Sequence, residues 1–370
     1  MNQTLKKRIY CFDLLKLFSI FYVFIYHIYM DMYMIHPMHN LKLIGDVTIR
    51  PNMHFAMIAC GLFILISGTT ITYSNINRDI KVIEFYKKRL LRVLIPFYVA
   101  YIIYFIIKVI TLKNIHIYGG VPKWNIIWTI CGMDEYLNAA GFKTFSLGIG
   151  EWFLGCIILC YLVYPFLYKA HKKNPIITFV VMISYYIVLN LNYTKLGFVI
   201  PSHMNFLSQV YNFYLGIVLA RVAYIILDND SNNGRVKLYG SKWLLILTIP
   251  IFLYFYFYKP IINIPDNFKT TLVVLSIAIS FYLLEGKNSS NKVICNITNY
   301  FNNISYEFFL VHHFVIYQID YMVNYRRVSG VETLTIIILD FILTIIIAII
   351  VKRISKSLLT IFSNIGAINK

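Results

Sequence analysis

Ten stretches of this chain are apolar over about 20 residues, the length needed to cross a bilayer as a helix. They cover residues 12–32, 54–75, 93–111, 151–168, 175–191, 205–227, 242–258, 268–285, 304–323 and 333–351. A chain of 370 residues that is 59% hydrophobic and carries mean hydropathy +0.67 has more apolar surface than one soluble core can hide. The predicted fold is all-α: a polytopic membrane bundle of about ten transmembrane helices, with residues 1–370 forming a single integral-membrane domain.

The charge balance supports that reading. Lys and Arg number 34 against 16 acids, a formal net charge of +18. In a soluble protein this excess would suggest nucleic acid, but here the basic residues sit in short loops beside the spans, and no basic patch accompanies a soluble recognition fold. Nucleic acid is not an expected partner; membrane lipids are. With a cytoplasmic N-terminus, 22 Lys and Arg fall on the inner side and 11 on the outer, with Lys16 left in the membrane. The positive-inside rule favours that orientation. Ten spans return both termini to the cytoplasmic side.

The basic Lys6-Lys7-Arg8 followed by an apolar run resembles a signal peptide. The run is too long, contains Asp13 and Lys16, and lacks a small-residue cleavage site, so it reads as a retained span. The six cysteines, Cys11, Cys60, Cys131, Cys156, Cys160 and Cys295, lie mostly in or beside apolar segments and form no C-x-x-C pair. Cys156 and Cys160 share a helix face, but no His or acidic cluster accompanies them in sequence, and no metal is expected.

The first span carries Asp13, Lys16 and His27 within YCFDLLKLFSIFYVFIYHIYM. A Lys or Asp near a membrane helix centre costs roughly 2.5–3.5 kcal/mol on the insertion scale, so such residues mark function or a pairing need. Lys16 and His27 are eleven residues apart, which places them on nearly one helix face about 16 Å apart along the axis. Asp13 precedes Lys16 by three residues, within pairing distance. An imidazole titrates near neutrality and can take a proton from an alcohol or thiol and return it. His27 is the candidate catalytic base, with Asp13 and Lys16 tuning charge along its path.

Before the third span, FYKKRLLRVLIP places Arg89 and Arg92 three residues apart, so that two planar guanidinium groups can grip phosphate together. A basic cluster at this site is also expected from topology alone. In the second span, Ser67-Gly68 leaves a hydroxyl and bare backbone in the interior, suited to ligand contact or to close helix packing. In the ninth span, Glu307 and His312 are five residues apart and more than 90° apart around a helix, so they do not readily face one site. Glu151-Trp152-Phe153 reads as an interfacial start to the fourth span and Pro165 as its stop. Trp124 and Trp128, at i and i+4 in the long outer connection 112–150, suit a short interfacial helix.

Five segments, taken in order, resemble acyltransferase family three, the integral-membrane enzymes that O-acetylate surface carbohydrates. They are RIYCFDLLKLFSIFYVFIYH (Arg8 to His27), FILISG (Phe63 to Gly68), FYKKRLLRVLIP (Phe85 to Pro96), EWFLGCIILCYLVYP (Glu151 to Pro165) and SYEFFLVHH (Ser305 to His313). The resemblance implies an acyl-coenzyme A donor, acetyl-coenzyme A in the first instance, used from the cytoplasmic side. It implies that Arg89 and Arg92 help hold the donor's phosphates and that His27 is essential as base or acyl relay; Ser67 and Gly68 are further candidate donor contacts read from the second span itself. The acceptor would be a hydroxyl of a surface polysaccharide or its lipid-linked precursor, and the location a bacterial cytoplasmic membrane. One departure is that the family's first motif commonly has arginine where this chain has Lys16, which keeps the charge but loses the bidentate fork. No hydrolase-like domain accompanies the spans, so the membrane domain is expected to act alone or with a separate partner. A transporter or flippase of glycan intermediates is the rival reading, since polar residues in a helix bundle also describe a translocation path; no inverted repeat supports it. A non-catalytic scaffold would leave Lys16 and His27 unexplained.

Overall fold

A computed structural model describes residues 10–35, 41–44, 47–49, 53–76, 78–112, 120–233, 265–283, 292–323 and 330–368. The described residues form α1 (Tyr10–Ile35), a short antiparallel hairpin of β1 (Leu41–Ile44) and β2 (Val47–Ile49), α2 (Met53–Asn75) and α3 (Val82–Leu112). Then come two short helices, α4 (Ile126–Ile130) and α5 (Asp134–Ala139), followed by α6 (Glu151–Lys173), α7 (Pro175–Leu191) and α8 (Phe206–Asn233). Three more complete the series: α9 (Asp266–Leu283), α10 (Lys292–Met322) and α11 (Gly330–Ile368).

Among the described residues, six helices are long and apolar enough to cross a membrane: Phe12–Met30, Ala56–Asn75, Val82–Thr111, Glu151–Lys173, Phe206–Ile225 and Val331–Phe362. The all-α membrane bundle is therefore the observed class. Of the other expected spans, 175–191 is the shorter apolar helix α7, while 268–285 and 304–323 fall on α9 and α10, whose buried polar residues lower their hydropathy. The span expected at 242–258 lies outside the described residues. On α11, Ile338, Ile342, Ile346 and Ile350 recur every four residues and remain about half exposed. Such a stripe suits lipid, whose tails need no polar cover.

One expectation needs correction. Pro165 does not end its helix, because α6 continues through it to Lys173. Proline removes one backbone donor, and membrane helices tolerate that loss where neighbouring groups satisfy the freed carbonyl.

The chain divides into two compact units. The first comprises Met1–Ser19, His54–Val82 and Leu159–Asn302, and the second Ile20–Met53, Ile83–Ile158 and Asn303–Lys370. Within the first, α2 and α8 touch backbone to backbone: a Cβ on Gly68 would lie 2.3 Å from the carbonyl oxygen of Phe213, and one on Gly216 would lie 2.1 Å from that of Leu65. A chain of buried polar groups then ties α7, α8 and α9 together. Asn267 Nδ2 donates to Asn190 Oδ1 at 2.7 Å, Thr271 donates to Asn212 Oδ1 at 2.9 Å, and Asn212 Nδ2 donates to Gln209 Oε1 at 2.8 Å. In a dry interior such a network is stable only when its members find partners, and these do.

Within the second unit, Phe24 packs against Phe308 and Phe341 with ring centroids 5.5 Å apart in each case. Tyr104 stacks on Phe314 at 3.5 Å and donates to the carbonyl of Val311 at 2.9 Å. These contacts join α1, α3, α10 and α11 within this unit. The Trp124 and Trp128 segment is a short helical turn running into α4, with Trp124, Ile126, Ile127 and Ile130 all exposed, as an interfacial helix requires.

Candidate active site

The turn before α6 is set by its glycines. Gly148 and Gly150 have φ of +76° and +73°, and Glu151 follows with φ of +45°, a left-handed conformation in a residue that has a Cβ. Glycine adopts that region freely, whereas for other residues it costs of order 1–3 kcal/mol and persists where surrounding structure over-determines it. The surroundings are visible. Glu135, on α5, accepts the hydroxyl of Ser146 at 2.6 Å and the backbone N–H of Gly148 at 2.5 Å. Burial pushes the Glu135 carboxyl above the usual carboxylate range, and these two hydrogen bonds oppose the shift.

Held this way, the Glu151 carboxylate points at two imidazoles. His27 Nε2, from α1, lies 3.2 Å from Glu151 Oε2, and His312 Nε2, from α10, lies 3.5 Å from Glu151 Oε1. The His27 ring sits 5.2 Å from that of His312 and 4.8 Å from that of His313. His312 is almost fully enclosed, while His27 and Glu151 keep about one sixth of their side-chain surface open, at 16% and 15%. His312 Nδ1–H donates to the carbonyl of Phe309 at 2.7 Å, which fixes its ring and turns Nε2 toward the carboxylate. All of these residues belong to the second unit.

An imidazole hydrogen-bonded to a buried carboxylate is a base with its orientation supplied by the partner. The distance of 3.2 Å is close to hydrogen-bond reach, within the looser range found before substrate is bound. The cluster can accept a proton from a hydroxyl brought beside His27 and hold the resulting imidazolium against Glu151. Three ligand-type atoms, one each from His27, Glu151 and His312, also lie within 4.8 Å of one another, a spacing that a metal ion could bridge.

Of the sequence-derived candidates, His27 stands at the centre of this cluster. Arg89 and Arg92 lie on the first turns of α3 in the same unit, Arg89 half-buried with its guanidinium 6.0 Å from the ring centroid of Phe85, and Arg92 exposed. Asp13, Lys16, Ser67 and Gly68 belong to the first unit. Asp13 and Lys16 are half-buried on α1, and the Asp13 carbonyl accepts Asn302 Nδ2 at 3.1 Å. Ser67 shares a hydrogen bond of 2.9 Å with the Tyr161 hydroxyl, and Gly68 serves the close approach of α2 and α8.

Sequence reasoning missed Glu151, His312 and His313 as members of the site. Glu151 read as an interfacial residue because nothing local shows that an acid beginning one helix meets a histidine more than a hundred positions earlier. A signal was nevertheless present: glycine at 148 and again at 150, immediately before an acid, marks an over-determined turn. The sequence sets Glu307 and His312 more than 90° apart around their helix, and on α10 the two do diverge: Glu307 faces Lys352 at 3.9 Å while His312 faces Glu151.

No curated protein and no solved structure matches the chain. A family model does, and it is described as an acyltransferase domain and matches residues 9–353, a range that holds His27, Arg89, Arg92, Glu151 and His312. With nearly its whole length matched, the chain belongs to acyltransferase family three, as an integral-membrane acyltransferase.

Proposed function

We propose that the protein transfers an acetyl group from acetyl-coenzyme A to a hydroxyl of a cell-surface polysaccharide or its lipid-linked precursor. It would do so in a bacterial cytoplasmic membrane with both termini inside. The observation that carries the reading is the His27–Glu151 pair at 3.2 Å. His27 takes the proton of the acceptor hydroxyl as its oxygen attacks the thioester carbonyl. The tetrahedral intermediate collapses, the carbon–sulfur bond breaks, and the departing thiolate recovers the proton from the His27 imidazolium. No proton is gained or lost overall. Glu151 offsets the imidazolium charge while it exists.

Arg89 and Arg92 are the proposed phosphate grip for the donor, at the end of α3 that the positive-inside rule assigns to the cytoplasm. The same topology puts Glu151 at the outer end of its span, where an external acceptor arrives. Asp13 and Lys16 are proposed to set the charge along α1, and Ser67 and Gly68 to border the donor path. Transport of a glycan needs no base of this kind, and membership of an acyltransferase family speaks against it.

The test is purified protein in lipid nanodiscs with labelled acetyl-coenzyme A and candidate glycans. Label should appear in the glycan with the parent chain. Unchanged transfer by His27→Ala would overturn the assignment of the base. A companion comparison of surface glycans by NMR, with and without the protein, would identify the acceptor hydroxyl and acyl group through the missing O-acyl signal.

A further inference from the structure

Glu151 Oε1 and His312 Nε2 face each other at 3.5 Å, and both atoms are buried with no hydrogen-bond partner. His312 has committed its Nδ1 proton to the carbonyl of Phe309, so a neutral ring presents a lone pair at Nε2. Two acceptors therefore oppose one another. Leaving a buried polar atom unsatisfied costs about 1–3 kcal/mol. A bound cation between them would satisfy both.

We propose that His27, Glu151 and His312 form a binding site for a divalent transition-metal ion of the zinc class, and that its occupancy blocks the base. Zinc holds nitrogen and oxygen ligands at about 2.0–2.2 Å in a tetrahedron, which separates neighbouring ligand atoms by roughly 3.3–3.5 Å. The separations here are 3.2 Å from His27 Nε2 to Glu151 Oε2 and 3.5 Å from His312 Nε2 to Glu151 Oε1, and one ligand atom from each of the three residues lies within 4.8 Å of the other two. Two imidazoles and one carboxylate suit zinc and its first-row neighbours rather than magnesium or calcium, which prefer all-oxygen shells. Three protein ligands leave a fourth position for water. The Phe309 carbonyl supplies the outer hydrogen bond that metal-bound histidines ordinarily make, and it is in place at 2.7 Å.

The binding claim stands on this geometry alone; the blocking role rests on the acyl-transfer reading. An imidazole whose lone pair is given to a metal cannot take a proton, so ion and acceptor compete for His27. The site then acts as a brake that zinc applies and a chelator releases.

The experiment uses the full chain in nanodiscs, stripped with a chelator and titrated with Zn²⁺ alone against a chromophoric zinc indicator, with elemental analysis after dialysis. One ion per chain is expected. Both His312→Ala and the isosteric Glu151→Gln should weaken binding by about 100-fold or more, since even outer-shell changes cost 10–100-fold. Co²⁺ in place of zinc should show the visible absorption of a tetrahedral site. Absence of stoichiometric zinc, or binding by both variants as tight as that of the parent chain, would overturn the site. Label transfer by the stripped protein tests the acyl-transfer reading separately. If zinc binds but stripped protein transfers nothing, that reading falls and the site remains; if stripped protein transfers label but zinc never binds, only the site falls. Zinc that binds without slowing transfer would overturn the blocking role.

Discussion

Glu135 accepts the backbone N–H of Gly148 at 2.5 Å, and this bond holds the glycine-rich turn from which Glu151 reaches His27. A carboxylate on α5 thus braces the turn that presents another carboxylate at the site.

The turn can be probed at Gly150. Its φ is +73°, and an added Cβ would lie 2.9 Å from Leu154 Cβ and 3.1 Å from the Leu310 side chain. Gly150→Ala should cost about 1–3 kcal/mol through strain and overlap together, and transfer should fall because Glu151 moves. Gly120→Ala, where φ is +81° but nothing lies within 4 Å, should lower the melting temperature less and leave transfer intact. Equal effects from the two would show that the turn does not position Glu151.

For the base, His27→Ala should reduce acyl transfer by roughly 10²- to 10⁴-fold, the usual worth of a positioned general base. Glu151→Gln keeps a hydrogen-bonding group beside the ring but removes the charge that offsets the imidazolium. It should reduce kcat with little change in donor KM, and label-transfer kinetics across donor concentrations would separate the two parameters.

Arg89→Ala and Arg92→Ala should each raise the donor KM by roughly 10- to 100-fold, the loss of a charged hydrogen bond being worth about 1.5–3 kcal/mol. The lysine variants should recover part of that effect, because the charge returns without the fork. A donor KM that ignores all four substitutions would dissociate the arginine pair from coenzyme A.

Asp134 supplies a pH signature. It is only 3% exposed, and burial pushes its carboxyl up to about 6, with the neighbouring Glu135 charge adding to the rise. The folded chain therefore holds a proton that the unfolded chain has released. The sign follows: relative stability is greatest below the ordinary carboxylate range and declines as pH rises from about 4 to about 6, then levels off. Asp134→Asn should remove that decline and raise the melting temperature at pH 8, measured in detergent across pH 4.5–8.

Close packing in the first unit gives the last expectation. Gly68→Ala forces a methyl to within 2.3 Å of the Phe213 carbonyl oxygen, so α2 and α8 must separate. Overpacking of this kind typically costs 1–3 kcal/mol or about that. A fall in melting temperature with an unchanged donor KM would assign Gly68 to packing; a raised KM at unchanged stability would assign it to the donor.

His27 was legible in the sequence because an imidazole in an apolar span is expensive and demands a reason. Arg89 and Arg92 were legible as a pair because their spacing is local. Glu151 and His312 were not legible as partners, since periodicity relates residues within one helix and carries nothing about which helix faces which. Pro165 was misread for a related reason: in water it would end the helix, whereas α6 runs on to Lys173.

The amino-acid order alone determined that this chain is a bundle of membrane helices of the acyltransferase kind. Long apolar runs leave the backbone no partner but itself in lipid, and that forces helices whatever their arrangement. Only the tertiary structure decided that the helices beginning at Tyr10, Glu151 and Lys292 converge on one carboxylate between histidines. That convergence depends on side-chain packing and a strained turn, which act between residues far apart in the chain.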